Sequence, residues 1–173
     1  SACDPGTADA DRSVITGFGE GTNYFRAKNC DTGGCSATAE FIVKRDQTSP
    51  STSITAPAAG SWQNANFNAT VTDSDSLSLS TCYQRVYNAG AAAPGWSTRT
   101  CGGSISIDIS TVCTNRGLNS CRTEAYSTDS AGNSSGTITR DFSIDITAPT
   151  SPAPTDEGAY KNSTTLNFTS TPS

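Results

Sequence analysis

Apolar residues fall on every second position in several short stretches of this chain. Phe67, Ala69 and Val71 do so, and so do Ile105, Ile107 and Ile109. Ile138, Phe142 and Ile144 continue the pattern, with Arg140 in phase and expected to pack its stem while its head stays in solvent. A period of two is that of a β-strand with one buried face. Residues 81–87 and 120–128 are rich in strand formers, and a short strand is expected around Ser53–Thr55. Between these runs lie turn clusters at 57–60, 73–80, 88–95, 115–117 and 129–133, where Gly, Pro, Asn and Asp interrupt the alternation. No stretch sustains a helical period. About seven short strands at even spacing predict an all-β protein.

The pattern also recurs. Asp31-Thr-Gly-Gly-Cys35-Ser36 lines up with Asp129-Ser-Ala-Gly-Asn133-Ser134, 98 residues later. Asp46, Thr48 and Pro50 return at Asp145, Thr147 and Pro149, and Gly60, Trp62 and Asn64 return at Gly158, Tyr160 and Asn162. A period near 100 residues predicts an array of domains. The complete unit is residues 49–147. Residues 1–48 match the second half of such a unit, and residues 148–173 its first strands. The expected architecture is therefore a series of tandem immunoglobulin-like β-sandwich domains, one complete and two partial. The expectation that follows is a segment of a longer polypeptide.

Composition narrows the function. The net charge of −5 argues against nucleic acid, whose phosphates require a basic surface. No apolar run is long enough to span a membrane. His is absent, as is any Gly-x-Ser-x-Gly, and Gly17-Phe-Gly19-Glu-Gly21 lacks the spacing and βαβ context of a dinucleotide site. A non-catalytic role is expected.

Asp129-Ser-Ala-Gly132-Asn133-Ser, followed by Phe142-Ser-Ile-Asp145-Ile-Thr147-Ala-Pro149, resembles the end of bacterial Ig-like repeats. These relatives of the fibronectin type III shape occur in tandem on large bacterial surface proteins. The resemblance implies that an Asp-x-Ala-Gly-Asn turn joins the last two strands and that an Asp-Thr-x-Ala-Pro-like segment leads into the next domain. It also implies an extracellular or cell-surface location. Such modules serve as spacers, adhesins and enzyme appendages alike, so the resemblance specifies fold better than function. The first unit departs from it, with Cys35 aligned where the Asn belongs.

Seven cysteines without His or Cys-x-x-Cys read as disulfides of an oxidising compartment rather than zinc ligands. Comparing the units constrains their pairing. Cys30 and Cys35 align with Thr128 and Asn133, so they are lost together, as bonded partners should be. Cys113 and Cys121 align with Ile15 and Asn23 and are also lost together. Cys3 aligns with Cys101, which leaves Cys82 for Cys101 and an upstream partner for Cys3. The rival scheme joins Cys82 to Cys121 across the sandwich and Cys101 to Cys113.

Other candidates carry plainer alternatives. Asp46, Asp73, Asp75 and Asp129 are expected at one pole of the complete unit and form a candidate calcium site at the domain junction. Calcium needs six to eight oxygens, and the alternative is that these acids cap turns and face water. Asn68, Asn133, Asn162 and Asn167 fit the N-x-[ST] acceptor pattern. Trp62, Trp96, Tyr83 and Tyr87 are candidates for a sugar-stacking platform or for rim packing. The expected role is a stalk, fibre or spacer at a microbial surface, whose partners are neighbouring repeats and which could self-assemble into a fibre. The alternatives are an adhesin binding a glycan or a host or cell-surface protein, and an accessory module of a secreted hydrolase.

Overall fold

A computed structural model describes residues 17–150. The described residues form twelve strands. Cys3, Asn162 and Asn167 lie outside them.

The first four strands make one hairpin. β1 (Gly21–Ala27) pairs antiparallel with β4 (Ala39–Arg45), and β2 (Cys30–Asp31) pairs with β3 (Gly34–Cys35) at its tip. The other eight build two sheets. β5 (Ser51–Ala56), β7 (Phe67–Ser74) and β10 (Ile105–Ile107) form a three-stranded sheet in the order β10-β7-β5. β6 (Trp62–Gln63), β8 (Leu79–Asn88), β9 (Ser97–Arg99), β11 (Gly117–Asp129) and β12 (Ile138–Ile144) form a five-stranded sheet in the order β6-β12-β11-β8-β9.

The alternating residues supply the core between these sheets. Ala69, Val71, Ile105, Ile107, Ala125, Phe142 and Ile144 are buried together with Cys113 and Cys121. Phe67 meets Phe142 edge to face, with ring centroids 5.0 Å apart. Ile109 lies just past β10 yet stays buried, because the Asn66 carboxamide oxygen accepts its amide. Arg140 corrects an expectation: its guanidinium is not left in solvent but donates to the Pro57 carbonyl at 2.7 Å, tying β12 to the end of β5.

Three disulfides close, and they are the pairs selected by comparing the units: Cys30–Cys35, Cys82–Cys101 and Cys113–Cys121. Their sequence separations are 5, 19 and 8 residues. Loop-closure entropy alone would make them contribute about 2, 3 and 2.5 kcal/mol respectively.

Cys82–Cys101 sits beside a polar plug that joins the sheets. The Thr52 hydroxyl on β5 meets the Ser127 hydroxyl on β11 at 2.7 Å and donates to Asp73 on β7 at 2.8 Å. Asp73 also accepts from Arg99 on β9 at 2.7 Å and from the Gly102 amide at 2.8 Å. The side chains of Asp73 and Arg99 are 0% and 4% exposed, so this is a buried ion pair.

Candidate functional site

The two final hairpins share a register. Asn23 faces Val43 and Ala27 faces Ala39, as Cys121 faces Phe142 and Ala125 faces Ile138. Local contacts repeat as well. The Gly33 amide donates to Asp31 Oδ1 at 2.8 Å, and the Ala131 amide to Asp129 Oδ1 at 2.9 Å. Thr48 donates to Asp46 Oδ1 at 3.1 Å, and Thr147 to Asp145 Oδ1 at 2.8 Å.

The turn between the strands differs. Cys30 pairs with Cys35, whereas Thr128 bridges to Ser134. The first turn is therefore one residue shorter, and Cys35 corresponds to Ser134 rather than to Asn133. This corrects the sequence alignment. By the same register Gly34 stands where Asn133 does, so the first hairpin has no Asn side chain there, and a cystine ties the two sides of its turn instead.

Asn133 holds the segment between β4 and β5. Its carboxamide nitrogen donates to Asp129 Oδ2 at 2.7 Å and to the backbone carbonyls of Asp46 at 3.1 Å and Thr48 at 3.5 Å. Asp129 in turn accepts the amides of Ala131 and Asn133 through Oδ1. Burial pushes the Asp129 carboxyl up, but the hydrogen bonds from Asn133 and the turn amides outweigh it and hold the carboxyl below its ordinary value. The turn folds around Asp129, and the folded turn aims Asn133 at the linker.

These contacts reassign several candidate residues. Asn133 uses its side-chain nitrogen in this clamp, so a sugar on that atom would displace the linker contacts. Asn68 lies exposed on β7, as an acceptor site requires. Of the four acids, Asp73 and Asp129 have both oxygens engaged within the fold. Asp73 is also held below its ordinary pKa. Burial opposes this, and the bonds from Arg99, Gly102 and Thr52 overcome it. Asp75 caps its own loop, accepting the amides of Leu77 and Ser78 through Oδ1. The second oxygens of Asp46 and Asp75 are buried without a hydrogen-bond partner. No three His, Cys, Asp or Glu side chains among the described residues form a group that would hold a metal ion. The four acids thus do not converge as a set, because Arg99 and the turn amides claim two of them.

The expected aromatic group divides. Trp62 lies apart from the others, in a cleft with residues 145–149 that follow β12. Tyr83, Tyr87 and Trp96 come together on the outer face of the five-stranded sheet, with three residues that the sequence reading overlooked: Arg85, Glu124 and Tyr126. Tyr83 and Tyr126 stack at 4.5 Å and 12°, and Trp96 meets Tyr126 edge-on at 4.7 Å. The Arg85 guanidinium lies 4.1 Å over Trp96 and 5.8 Å from the Tyr87 ring centroid. Glu124 accepts from Arg85 at 2.5 Å and from the Tyr87 hydroxyl at 2.9 Å. Burial, then this bond to Glu124, raises the Tyr87 phenol above its ordinary value. The signal was available, since Tyr83, Arg85 and Tyr87 alternate on β8 as Arg122, Glu124 and Tyr126 do on β11.

These rings and charges satisfy one another and pin the loop before β9 to the sheet. They do not form a nucleophile–base pair. No helix among the described residues is long and apolar enough to cross a membrane. Neither protein-family models nor curated proteins yield a match to this chain.

Proposed function

We propose that this chain is a stretch of tandem immunoglobulin-like domains and that it acts as a non-catalytic spacer or stalk in an extracellular, disulfide-stabilised array at a microbial surface. The observation that carries this reading is the Asn133 clamp on the incoming linker. A flexible tether would leave the backbone between two units free. Here the final turn of one unit is bonded to the linker that precedes it, which restricts swivelling at the joint. Thr-Ser-Pro50 and Thr-Ala-Pro149 stiffen both linkers further by fixing φ at Pro. Three disulfides in a small all-β chain support an oxidising location. The outer-face aromatics occupy one another, which favours a structural role over sugar stacking.

The test is proteolysis at the joint. Trypsin cleavage after Arg45 should be slow in the parent chain and severalfold faster in Asn133→Ala, with the rest of the digestion pattern unchanged. Equal cleavage rates would remove the clamp from the argument.

A further inference from the structure

We infer that the end face carrying Trp62, Leu118 and Ile146 is the seat of the next repeat, whose first strands are expected in residues 148–173, an inference that rests on the array reading above. The three residues are 58%, 71% and 53% exposed. Single exposed apolar residues are ordinary, but a group of them at one end of a domain marks a contact surface.

Each is brought there by a separate device. Trp62 belongs to the two-residue β6, which pairs in parallel with the end of β12. Leu118 lies in an irregularity of β11, where the register with β12 shifts between Gly117 and Cys121. Such bulges re-aim side chains. Asn119, in the same bulge, has a φ of 51° and donates its amide to the Ser143 hydroxyl, which fixes the bulge against β12. Ile146 follows directly after β12.

The occupant is set by the route of the chain. Trp62, Gln63 and Asn64 form one wall of a cleft of about 610 Å³, and the linker residues 145–149 form the other. The segment that follows Pro149 therefore leaves from within the cleft, and the first body it can deliver there is its own.

The incoming joint offers a contrast. In hairpin register, Gln47 is the counterpart of Ile146. Its amide donates to Glu20 at 3.0 Å, and its side-chain oxygen accepts from Arg45, which also bonds the Phe18 carbonyl. That joint engages Gln47 through both its backbone amide and its side chain. The outgoing joint replaces them with an isoleucine beside a tryptophan, a surface that gains only by being covered. Both joints keep the local bond from Thr to Asp, Thr48 to Asp46 and Thr147 to Asp145, but the outgoing one adds exposed apolar side chains.

The test compares the 173-residue chain with the native polypeptide carried through the whole of the following repeat, using hydroxyl-radical oxidation read by mass spectrometry. Trp62, Leu118 and Ile146 should oxidise severalfold more slowly in the longer chain, while Val112, on a separate loop, keeps its rate. In the longer chain, Trp62→Ser combined with Ile146→Ser should speed proteolysis of residues 145–150 without lowering the melting temperature of the unit, since both side chains are already exposed. Unchanged oxidation of Trp62 in a chain that does continue as a repeat would overturn the seat and leave the spacer reading standing. A native chain that does not continue as a repeat would overturn both.

Discussion

Replacing Asp73 by Ala probes the polar plug between the sheets. The substitution removes a carboxylate that accepts from Thr52, Arg99 and Gly102, and it strands a guanidinium whose side chain is only 4% exposed. Arg99 Nε already lacks a partner, and without Asp73 the guanidinium keeps only the Thr100 carbonyl at 3.2 Å. Removing one member of a buried ion pair costs about 3–5 kcal/mol, because the other charge stays desolvated. A domain of this size has about 5–15 kcal/mol in total. At about 5 °C per kcal/mol, the melting temperature should fall by about 15–25 °C. Urea unfolding followed by Trp fluorescence measures the change directly. The double variant Asp73→Leu/Arg99→Leu should return to within about 2 kcal/mol of the parent, since the unpaired charge is gone. A single variant costing under about 1 kcal/mol, or a double variant no better than the single, would refute the claim that buried charge at this position governs stability.

Three further outcomes follow from the same contacts. Asp73 and Asp129 have depressed folded pKa values, and Asp108 is drawn down to about 2 by the Ser110 hydroxyl and amide. The unfolded chain therefore binds more protons than the folded one at low pH. Stability should hold from neutrality to about pH 5 and fall as these groups protonate below it, and a urea midpoint unchanged at pH 3 would contradict this. Arg85→Ala should cost about 2 kcal/mol by leaving Glu124 without its cation and Trp96 uncovered, with a red shift in Trp emission as the check. Calcium should leave the melting temperature unchanged, because of the four candidate acids only Asp46 and Asp75 retain an unpartnered oxygen and calcium needs six to eight. A saturable rise reversed by chelator would contradict this.

The elements legible in the sequence were those with enough length to show a period. Phe67–Val71 and Ile138–Ile144 span several alternations, so their strands and buried faces could be read directly. β6 and β9 are two and three residues long and carry no period, so they appear only once β12 and β8 are present to pair with them. The disulfides were readable because the repeated segments could be compared: Cys30–Cys35 and Cys113–Cys121 are each lost as a pair, which leaves Cys82 for Cys101. The same comparison misplaced Cys35 by one position: the spacing grows from 98 at Asp31/Asp129 to 99 at Asp46/Asp145, which shows that one unit has an extra residue but not where between them it falls. The clamp was hidden for another reason. Asn133 carries an acceptor motif and sits beside an acid, and both are local signals. Its partners Asp46 and Thr48 lie 87 and 85 residues away and are recruited through backbone carbonyls, which have no side-chain signature. Asp73 read as a loop acid because Arg99, 26 residues later, looks like any surface arginine until β9 folds against the sheet.

The central claim is that the 173 residues belong to a covalent array of similar units. Intact and peptide mass spectrometry of the native, non-reduced polypeptide tests it most directly. The account predicts a species much heavier than this chain, with Cys3 bonded to a cysteine upstream and the pairs Cys30–Cys35, Cys82–Cys101 and Cys113–Cys121 intact. A species of the mass of this chain alone, with Cys3 free or bonded to a second copy, would contradict it.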